Sequence, residues 1–274
     1  MTSTRRIRRT NRPVTIIPVR LQKVQPSQPL APIIIQALEQ RGLTPQSGDV
    51  ISVASKIASI AEGQIVKLQQ IQPSKLARKM AAKWKIDSRL MQVILNESDD
   101  ILAGVEGFAL TIRQGILTPN AGIDQKNSPP GTVTLWPKDP DLTAERLRRL
   151  LQKRFHARLG VQIVDSRITP LRMGTIGLAI GISGFAPIRD ERGKQDLYGR
   201  LVRATRADLA DDIASASHLV MGERNEHVGL VLIRGARVQL GQFTSKQVLL
   251  TKQRCLITSN FQSQSIVYGR PTEL

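Results

Sequence analysis

The stretch Thr118-Pro-Asn-Ala-Gly-Ile-Asp-Gln-Lys-Asn127 combines residues that restrict or free the backbone with residues that carry side-chain oxygens. Pro119 fixes φ and Gly122 frees it, so the segment is predicted to be a shaped loop rather than the interior of a helix or strand. Asp124 and Asn127 then offer a carboxylate and an amide from a stiff turn. We call residues 118–127 the central loop.

A second candidate ligand follows a short apolar pattern further along the chain. Residues 161–164 have the composition of a buried strand, and Asp165-Ser166 comes directly after them. Carboxylate and hydroxyl oxygens suit Mg²⁺ and Mn²⁺, which take oxygen ligands and share them with substrate phosphates. Asp124 and Asp165 could thus hold the metal of a nucleotide site. The alternative is structural: an Asx-turn at Asp124 and a helix N-cap at Asp165.

Composition and charge set limits on the class of protein. The chain has 274 residues, which is enough for one large domain or two modest ones with a real core. Only 3% of the residues are aromatic, so the core is expected to be aliphatic. The formal net charge of +18 favours anionic partners: nucleic acid, an acidic membrane surface or phosphorylated small molecules. We interpret residues 1–13, which carry five arginines, as a disordered basic arm.

Several function classes are disfavoured. The sequence has no RNA-binding signature and few aromatic residues to stack on bases, so nucleic acid is the weaker partner. Cys255 is the single cysteine, which excludes an intrachain disulfide and a cysteine-based zinc site, and the three histidines have no metal-binding spacing. Neither a signal peptide nor an apolar stretch of about 18 residues is evident, so we expect a cytoplasmic protein without a membrane partner.

Hydrophobic periodicity predicts alternating strands and helices. Apolar, β-rich patterns predict strands at 14–17, 49–54, 132–136, 161–164 and 228–233, and a strand or a hairpin at 108–117. Helical spacing and capping residues predict helices at 33–40, after Pro73, after Asp87, after Asp141 or Thr143, and at 206–221. The glycines of 173–184 do not follow the spacing of a P-loop or of a dinucleotide-binding motif. The predicted class is α+β, with mixed sheets and flanking helices.

Several short motifs occur in one fixed order, and together they resemble a known family. They are Ser55-Lys-Ile-Ala-Ser59 with Glu62-Gly63, Asn120-Ala-Gly-Ile-Asp124, Asp139-Pro-Asp141, Asp165-Ser166, Gly193 with Asp196-Leu-Tyr-Gly199, and Met221-Gly-Glu223. Each motif is weak alone, but the ordered set resembles the γ-glutamyl ligases of the deazaflavin coenzyme F420. The resemblance extends from about Val14 to about Gly235.

The resemblance implies a two-domain α+β fold, an intertwined homodimer and a ligase activity. Enzymes of this family join L-glutamate to the lactyl carboxylate of an anionic coenzyme precursor, with GTP as co-substrate and a divalent metal ion. For this chain we therefore expect Mg²⁺ or Mn²⁺, GTP or alternatively ATP, and K⁺ as an additional ion. The expected organisation is a basic arm at 1–13, a ligase-like domain of two subdomains at 14–240, and a C-terminal extension at 241–274.

The resemblance also assigns residues to a metal and nucleotide site. The positions implied as metal ligands are Asp124, Asp165, Ser166 and Glu223. The positions implied as nucleotide contacts are Ser55, Lys56, Asn127, Gly222 and Glu223. Catalytic residues separate from these two groups are not implied, and the substrate-binding residues stay unassigned.

The chain departs from the family pattern at several of these motifs. Ile60 stands where a nucleotide-contacting lysine is usual, and an alkyl group cannot replace a phosphate-binding cation. Residues 18–22 lack the glycine of the early nucleotide loop. Residues 167–172 differ from the usual run after the second metal motif, Thr175 replaces a glutamine, and Lys126 replaces a small residue.

Three hypotheses follow from the sequence. The first is a metal- and nucleotide-dependent ligase that forms an amide on an anionic acceptor, through an acyl phosphate. The second is an inactive or repurposed family member that acts as a nucleotide- or metabolite-binding module; Ile60 favours it, and the retained Asp124, Asp165 and Glu223 oppose it. The third is a nucleic-acid binder that uses the basic arm.

Overall fold

The computed structural model describes residues 13–126 and 128–264, with the side chains of 262–264 excluded. Nearly all of the predicted basic arm and Asn127 of the central loop lie outside the described residues. The β-strands of the described chain are β1 (Thr15–Val19), β2 (Val50–Ala54), β3 (Ile65–Lys67), β4 (Asp100–Val105), β5 (Phe108–Arg113), β6 (Ile116–Pro119), β7 (Thr132–Thr134), β8 (Gly160–Ile168), β9 (Thr175–Ser183), β10 (Ile188–Asp190), β11 (Arg206–Asp208) and β12 (Leu230–Arg234). The α-helices are α1 (Leu30–Gln40), α2 (Ser55–Ala61), α3 (Lys75–Trp84), α4 (Ser88–Glu97), α5 (Pro140–Phe155) and α6 (Leu209–Met221). The predicted α+β class is confirmed.

A five-stranded mixed sheet with the order β1-β12-β2-β8-β9 forms the centre of the fold. Strands β2 and β8 run parallel, and their pairing ends where Ala54 lies opposite Val164. Strand β12 is antiparallel to both β2 and β1, so its first residue, Leu230, pairs with Val53 on one side and Val19 on the other. The segments after β1, after β2 and before β12 therefore leave the sheet at one edge. We call it the upper edge.

Helices cover both faces of this sheet because its strands are apolar on both sides. On β12, Leu230 and Leu232 pack into a buried cluster with residues of α1 and α5. Val231 and Ile233, which point the other way, pack into a second cluster with residues of α6. Strands buried on both faces have continuous apolar sequences, as β2 and β12 do.

A smaller unit packs beside the central sheet. Its antiparallel sheet has the order β4-β5-β6, and its core forms where Met80 and Trp84 of α3 meet Met91 and Ile94 of α4. Two further two-stranded sheets pair β3 with β7 and β10 with β11. Past residue 240 the chain contacts the other elements through Ser245, whose hydroxyl donates to Asp141 at 2.9 Å.

Strand β8 extends beyond its predicted end. It continues to Ile168 because it pairs with β9, and Asp165 lies opposite Leu178 within this ladder. The interpretation of Asp165 as a helix N-cap is therefore wrong. An irregularity in the register falls between Ile163 and Val164, just before the carboxylate. Such bulges change the direction of the side chains that follow them.

Helix α1 begins at Leu30, three residues before its predicted start, and two further helices, α5 and α6, also begin at other residues than the sequence predicts. Asp139 caps α5, because its side chain accepts the backbone N–H of Leu142 at 2.9 Å, whereas Asp141 and Thr143 lie inside the helix. Residues 206–208 pair as a strand, so α6 starts three residues after its predicted start. For α5 and α6 a local contact sets the helix start: the cap by Asp139 in α5 and the strand pairing of residues 206–208 before α6. Hydrophobic periodicity alone does not locate helix ends accurately.

The central loop places three successive residues in the left-handed region of the backbone. The φ angles of Asn120, Ala121 and Gly122 are 50°, 54° and 66°. Side chains fix this turn: the Asn120 side chain accepts the N–H of Ala109 at 2.8 Å, and the Ala121 N–H donates to the hydroxyl of Thr111 at 2.8 Å. A conformation that is costly for residues with a Cβ is thus held by strand β5.

Gly122 also admits the ring of Trp136 against the loop. A Cβ built on Gly122 would lie 2.2 Å from Nε1 of this indole, and real Cβ contacts do not become so short. Trp136 is 1% exposed and belongs to the core cluster on the α1 and α5 face of the sheet. The loop and the main core therefore meet at this glycine and this tryptophan.

We expect Gly122→Ala to destabilise the protein more than Gly107→Ala does. Both glycines have positive φ, 66° and 83°, so each substitution costs about 1–2 kcal/mol of backbone strain. A Cβ at Gly107 would meet no atom within 4 Å, whereas at Gly122 it would displace the Trp136 ring, which adds about 1–3 kcal/mol of overpacking. Urea unfolding of both variants and the wild type measures the difference. Equal free energies of unfolding for the two variants would contradict the proposed contact.

Candidate functional site

A cavity of about 620 Å³ opens at the upper edge of the central sheet. Cavities of this size accommodate cofactors and substrates. Its walls come from the segments that the sheet brings together at this edge, and from the central loop and the turn after it. The lining residues are 21–26, 54–57, Ile60, Ile65, Asp124, 128–130, 164–166, His218 and 221–229.

The structure brings most of the sequence-derived site residues to this one cavity. Those that line it are Ser55, Lys56, Asp124, Asp165, Ser166, Gly222 and Glu223. Asn127, the remaining candidate, lies outside the described residues. These residues come from positions up to 168 apart in the sequence (Ser55 to Glu223), and the strand order explains why they meet.

Asp165 presents its carboxylate to the cavity from strand β8. Oδ1 accepts a hydrogen bond from the Ser55 hydroxyl at 3.0 Å, and Oδ2 accepts one from the indole N–H of Trp136. Burial raises the pKa of Asp165 above its ordinary value, and the negative charge of Asp124 raises it further. Across the described residues, no cation forms an ion pair with this carboxylate, and its hydrogen-bond donors, which include the backbone N–H of Ser166, are neutral. The positive charge of Arg113 acts on it from behind Trp136 without direct contact.

Asp124 has a different environment on the facing wall. Its Oδ1 accepts the backbone N–H of Lys126 at 2.7 Å, so the Asx-turn proposed as its structural interpretation is confirmed. Its Oδ2 lies 2.5 Å from Nζ of Lys56, which forms an ion pair with it. The backbone of Asp124 pairs with Thr134, and this pairing fixes the position of the turn against the sheet of β3 and β7. One aspartate thus has a cationic partner and the other has neutral partners.

The donor set fits a hard divalent cation. The two aspartates and the Ser166 hydroxyl offer oxygen atoms that could bind such a cation, and Mg²⁺ commonly takes one or two carboxylates and completes its shell with water and substrate phosphate. Because the charge of Asp124 acts on Asp165, a cation that binds between them would relieve their mutual repulsion. Within 13–126 and 128–264, no three His, Cys, Asp or Glu side chains are grouped closely enough to hold a metal.

Glu223 lies on the wall formed by the segment before β12. Its Oε1 accepts a hydrogen bond from the Thr175 hydroxyl at 2.9 Å and is 2.8 Å from Nε2 of His218. Burial acts to raise the pKa of Glu223, but the hydrogen bonds with His218 and Thr175 outweigh burial, so the pKa lies below its ordinary value. Glu223 therefore stays ionised at neutral pH, and its carboxylate is held in one orientation.

The rest of the cavity is divided between apolar and basic walls. Ile57, Ile60 and Ile65 contribute an apolar wall, and Lys23 and Lys56 supply ammonium groups. This combination suits a ligand with a flat, weakly polar part and an anionic part, as a nucleotide has. Ile60, where the resemblance leads one to expect lysine, belongs to the apolar wall.

Four residues in or behind the site were not identified from the sequence. Trp136 and Arg113 lie behind Asp165, and Thr175 and His218 hold Glu223. Thr175 was noted only as a departure from the family pattern. The one feature of the sequence that could have indicated Trp136 is the rarity of tryptophan, which occurs twice in the chain, at Trp84 and Trp136. Of these two, Trp136 contacts a candidate metal ligand.

We expect Asp165→Asn to raise the free energy of unfolding at pH 7 in the absence of divalent metal. Because the folded-state pKa is raised, the folded protein binds more protons than the unfolded chain between the two pKa values, so wild-type stability falls as the pH rises through that window. An asparagine amide removes the buried charge and can still accept from Trp136. Urea unfolding at pH 7 measures the gain, which should vanish below the ordinary aspartate pKa of 3.8.

Asp124→Asn is the matched control for that measurement. Asp124 already has a cationic partner, and removal of its charge leaves the ammonium of Lys56 without its ion pair. Loss of this ion pair offsets the relief of the repulsion that Asp124 exerts on Asp165, so we expect a smaller gain in stability than in Asp165→Asn. The same gain in both variants would mean that burial of Asp165 is not the cause.

The chain is similar to known proteins over most of its length. The family F420-0:Gamma-glutamyl ligase matches residues 18–235. A protein of Methanopyrus kandleri named coenzyme F420:L-glutamate ligase is 39% identical over 246 residues, which cover 89% of this chain and 94% of the relative. Proteins of the same name from Methanothermobacter thermautotrophicus and Methanocaldococcus jannaschii are 41% and 36% identical over 75% and 76% of this chain, and 82% and 84% of the relatives. In the part of the chain that the structure describes, no helix could cross a membrane.

Proposed function

Because the chain belongs to the F420-0:gamma-glutamyl ligase family, we propose that it joins L-glutamate by an amide bond to the carboxylate of a coenzyme F420 precursor, with a nucleoside triphosphate and a divalent metal ion. One observation of the site carries the metal and nucleotide part of this proposal. Asp124, Asp165 and Lys56 converge on a cavity of ligand size at the upper edge of the sheet.

The chemistry requires an activated acceptor, since a carboxylate does not form an amide with an amine at neutral pH. In the proposed reaction the acceptor carboxylate attacks the γ-phosphorus of the nucleotide, which forms an acyl phosphate and releases the nucleoside diphosphate. The amine of glutamate then attacks the acyl carbon, and inorganic phosphate leaves. Bound Mg²⁺ or Mn²⁺ supplies positive charge to the oxygens of the transferring phosphoryl group.

The residues of this chain hold the reacting groups in place. Asp165 and Asp124 supply the ligands of the metal, together with the Ser166 hydroxyl, and Ser55 fixes one oxygen of Asp165. Lys56 is placed to neutralise phosphate oxygens once Asp124 is engaged by another cation. The basic character of the chain attracts GTP or ATP, glutamate and an anionic acceptor alike.

A ligation assay tests the proposal directly. The protein is incubated with the F420 precursor, L-glutamate, GTP or ATP, and Mg²⁺ or Mn²⁺; the product is identified by mass and the released phosphate is measured. We expect one phosphate for each amide formed, and no turnover when the metal is chelated. Asp124→Asn should abolish metal-dependent turnover. Full activity of that variant would refute the assigned metal ligand.

Lys56→Met probes the cationic part of the same site. Charge-assisted hydrogen bonds contribute about 1.5–3 kcal/mol, so loss of the ammonium should weaken nucleotide binding by roughly 10- to 100-fold. Lys67→Met is the control, because Lys67 is an exposed lysine on β3 that does not line the cavity. Calorimetric titration with GTP and ATP in the presence of Mn²⁺ measures both variants. Equal affinities would remove Lys56 from the nucleotide site.

Ile60 favours a second candidate function, which is nucleotide or metabolite binding without catalysis. Its side chain contributes to the apolar wall of the cavity and cannot bind phosphate. Metal-dependent nucleotide binding without amide formation or phosphate release would select this alternative. The absence of nucleotide binding would exclude the ligase and would leave metabolite binding as the form of the alternative that stands.

We also propose that the protein forms a homodimer through the segment between β8 and β11. Large exposed apolar side chains are concentrated in this segment, and such surfaces mark interfaces. They are Ile168, Leu171, Met173, Ile176, Leu197, Tyr198 and Leu201.

Light scattering tests the dimer. The double variant Leu171→Ser, Leu197→Ser should be monomeric at concentrations at which the wild type is dimeric, because both side chains are fully exposed to water in the single chain. Leu256→Ser, which replaces another highly exposed leucine outside the segment, should stay dimeric. A monomeric wild type, or a dimer that survives the double substitution, would contradict this interface.

A further inference from the structure

We propose that Trp136 is a positioning residue of the ligase site, which holds the Asp165 carboxylate in the orientation that a divalent cation requires. The inference rests on the proposed function. Trp136 does not line the cavity, and it acts through the carboxylate that does. A hydrogen bond from the indole N–H to Oδ2 and a bond from the Ser55 hydroxyl to Oδ1 fix both carboxylate oxygens. With either donor removed, the carboxylate could rotate about its terminal bond.

The indole is suited to this task by its chemistry. It is a donor only, whereas the Ser55 hydroxyl can donate or accept, so Trp136 requires an acceptor at Oδ2. It also carries no charge. A lysine or arginine in its place would hold the carboxylate but neutralise it, as Lys56 does for Asp124. Trp136 thus orients Asp165 without forming an ion pair with it.

Trp136 is itself fixed on both sides of its ring. Gly122 of the central loop approaches so closely that no Cβ would fit between them. The guanidinium of Arg113 lies 5.4 Å from the ring centroid, which is within the range of a cation–π contact. Arg113 in turn binds Glu97 at 2.5 Å and donates to the carbonyl of Ala121 at 3.0 Å.

These contacts form a rigid support from the central loop to the candidate metal ligand. Arg113 is 5% exposed and Trp136 is 1% exposed, so both side chains are packed against other protein atoms. Outer-shell groups that orient a metal ligand in this way commonly contribute 10- to 100-fold in metal affinity. The support explains why a loop with three left-handed residues is packed against the core at this point.

The test compares Trp136→Phe with Trp84→Phe. Both substitutions remove the indole N–H of a buried tryptophan and keep an aromatic ring, but Trp84 packs against Gly104 in the α3 and α4 core and does not line the cavity. The concentration of free Mn²⁺ is measured by electron paramagnetic resonance during titration. We expect Trp136→Phe to raise the Kd for Mn²⁺ by about 10- to 100-fold and Trp84→Phe to leave it unchanged.

A spectroscopic measurement leaves Trp136 in place and so does not depend on whether Trp136→Phe folds. In Trp84→Phe, Trp136 is the single tryptophan of the chain. Paramagnetic Mn²⁺ bound at Asp165 should quench its fluorescence saturably, whereas Mg²⁺ should compete for the site without quenching. The further substitution Asp165→Asn should abolish the effect.

The outcomes separate this inference from the proposed function. Unchanged Mn²⁺ affinity in Trp136→Phe, or Trp136 fluorescence that does not respond to bound Mn²⁺, overturns the positioning inference while metal-dependent ligation by the wild type still stands. A wild type that binds no Mn²⁺ at all overturns the metal dependence of the proposed function, and the inference with it.

Discussion

A partly buried carboxylate that forms no ion pair with any described residue is the constraint on which the site depends. Asp165 lies in the sheet of an aliphatic core, and a second carboxylate, Asp124, acts on it from the facing wall. Folding alone would favour loss of this charge, because desolvation of an ion is costly. The chain instead keeps the carboxylate and orients it with two neutral donors. That arrangement is expected where a charge is required for a ligand and not for the fold.

The other features of the structure follow from the need to support this group. The parallel pairing of β2 with β8 brings Ser55 to Asp165, since each directly follows the last residue that these two strands pair with each other, Ala54 and Val164. The antiparallel strands on the other side of β2 bring the segment of Glu223 to the same edge. The central loop contributes Asp124 on one side and fixes Trp136 on the other. Hydrogen bonds with β5 stabilise the left-handed residues of the loop. The contacts that compensate for this unfavourable backbone conformation therefore lie outside the cavity.

Much of the fold could be predicted from local patterns, and the ordered motifs identified the family. Strands such as β2 and β12, which are apolar throughout, and helices with a clear buried stripe were predicted close to their observed ranges. Contacts between distant residues could not be predicted. The extension of β8 depends on its pairing with β9. The ion pair of Lys56 with Asp124 depends on a helix and a loop that only the fold brings together. In the sequence, Trp136 has no feature that distinguishes it from an ordinary core residue. Hydrophobic periodicity predicts which face of a helix or strand is buried, but it does not predict which side chains of other elements contact that face.

The cavity contains the two expected carboxylates, Asp124 and Asp165, but has Ile60 where the family resemblance leads one to expect lysine. With isoleucine at position 60, the wall beside α2 is apolar, and Lys56 is left as the ammonium group nearest the aspartates, paired with Asp124 at 2.5 Å. Under the proposed function this one ammonium has two anionic neighbours, the carboxylate and the phosphate of the nucleotide. It can serve the phosphate only when another cation takes its place at Asp124. Binding of the metal and of the nucleotide would then be coupled. A metal ion at Asp124 releases Lys56 for the phosphate, and a phosphate that binds Lys56 leaves Asp124 free for the metal ion. Such coupling is reciprocal, so each ligand raises the affinity for the other.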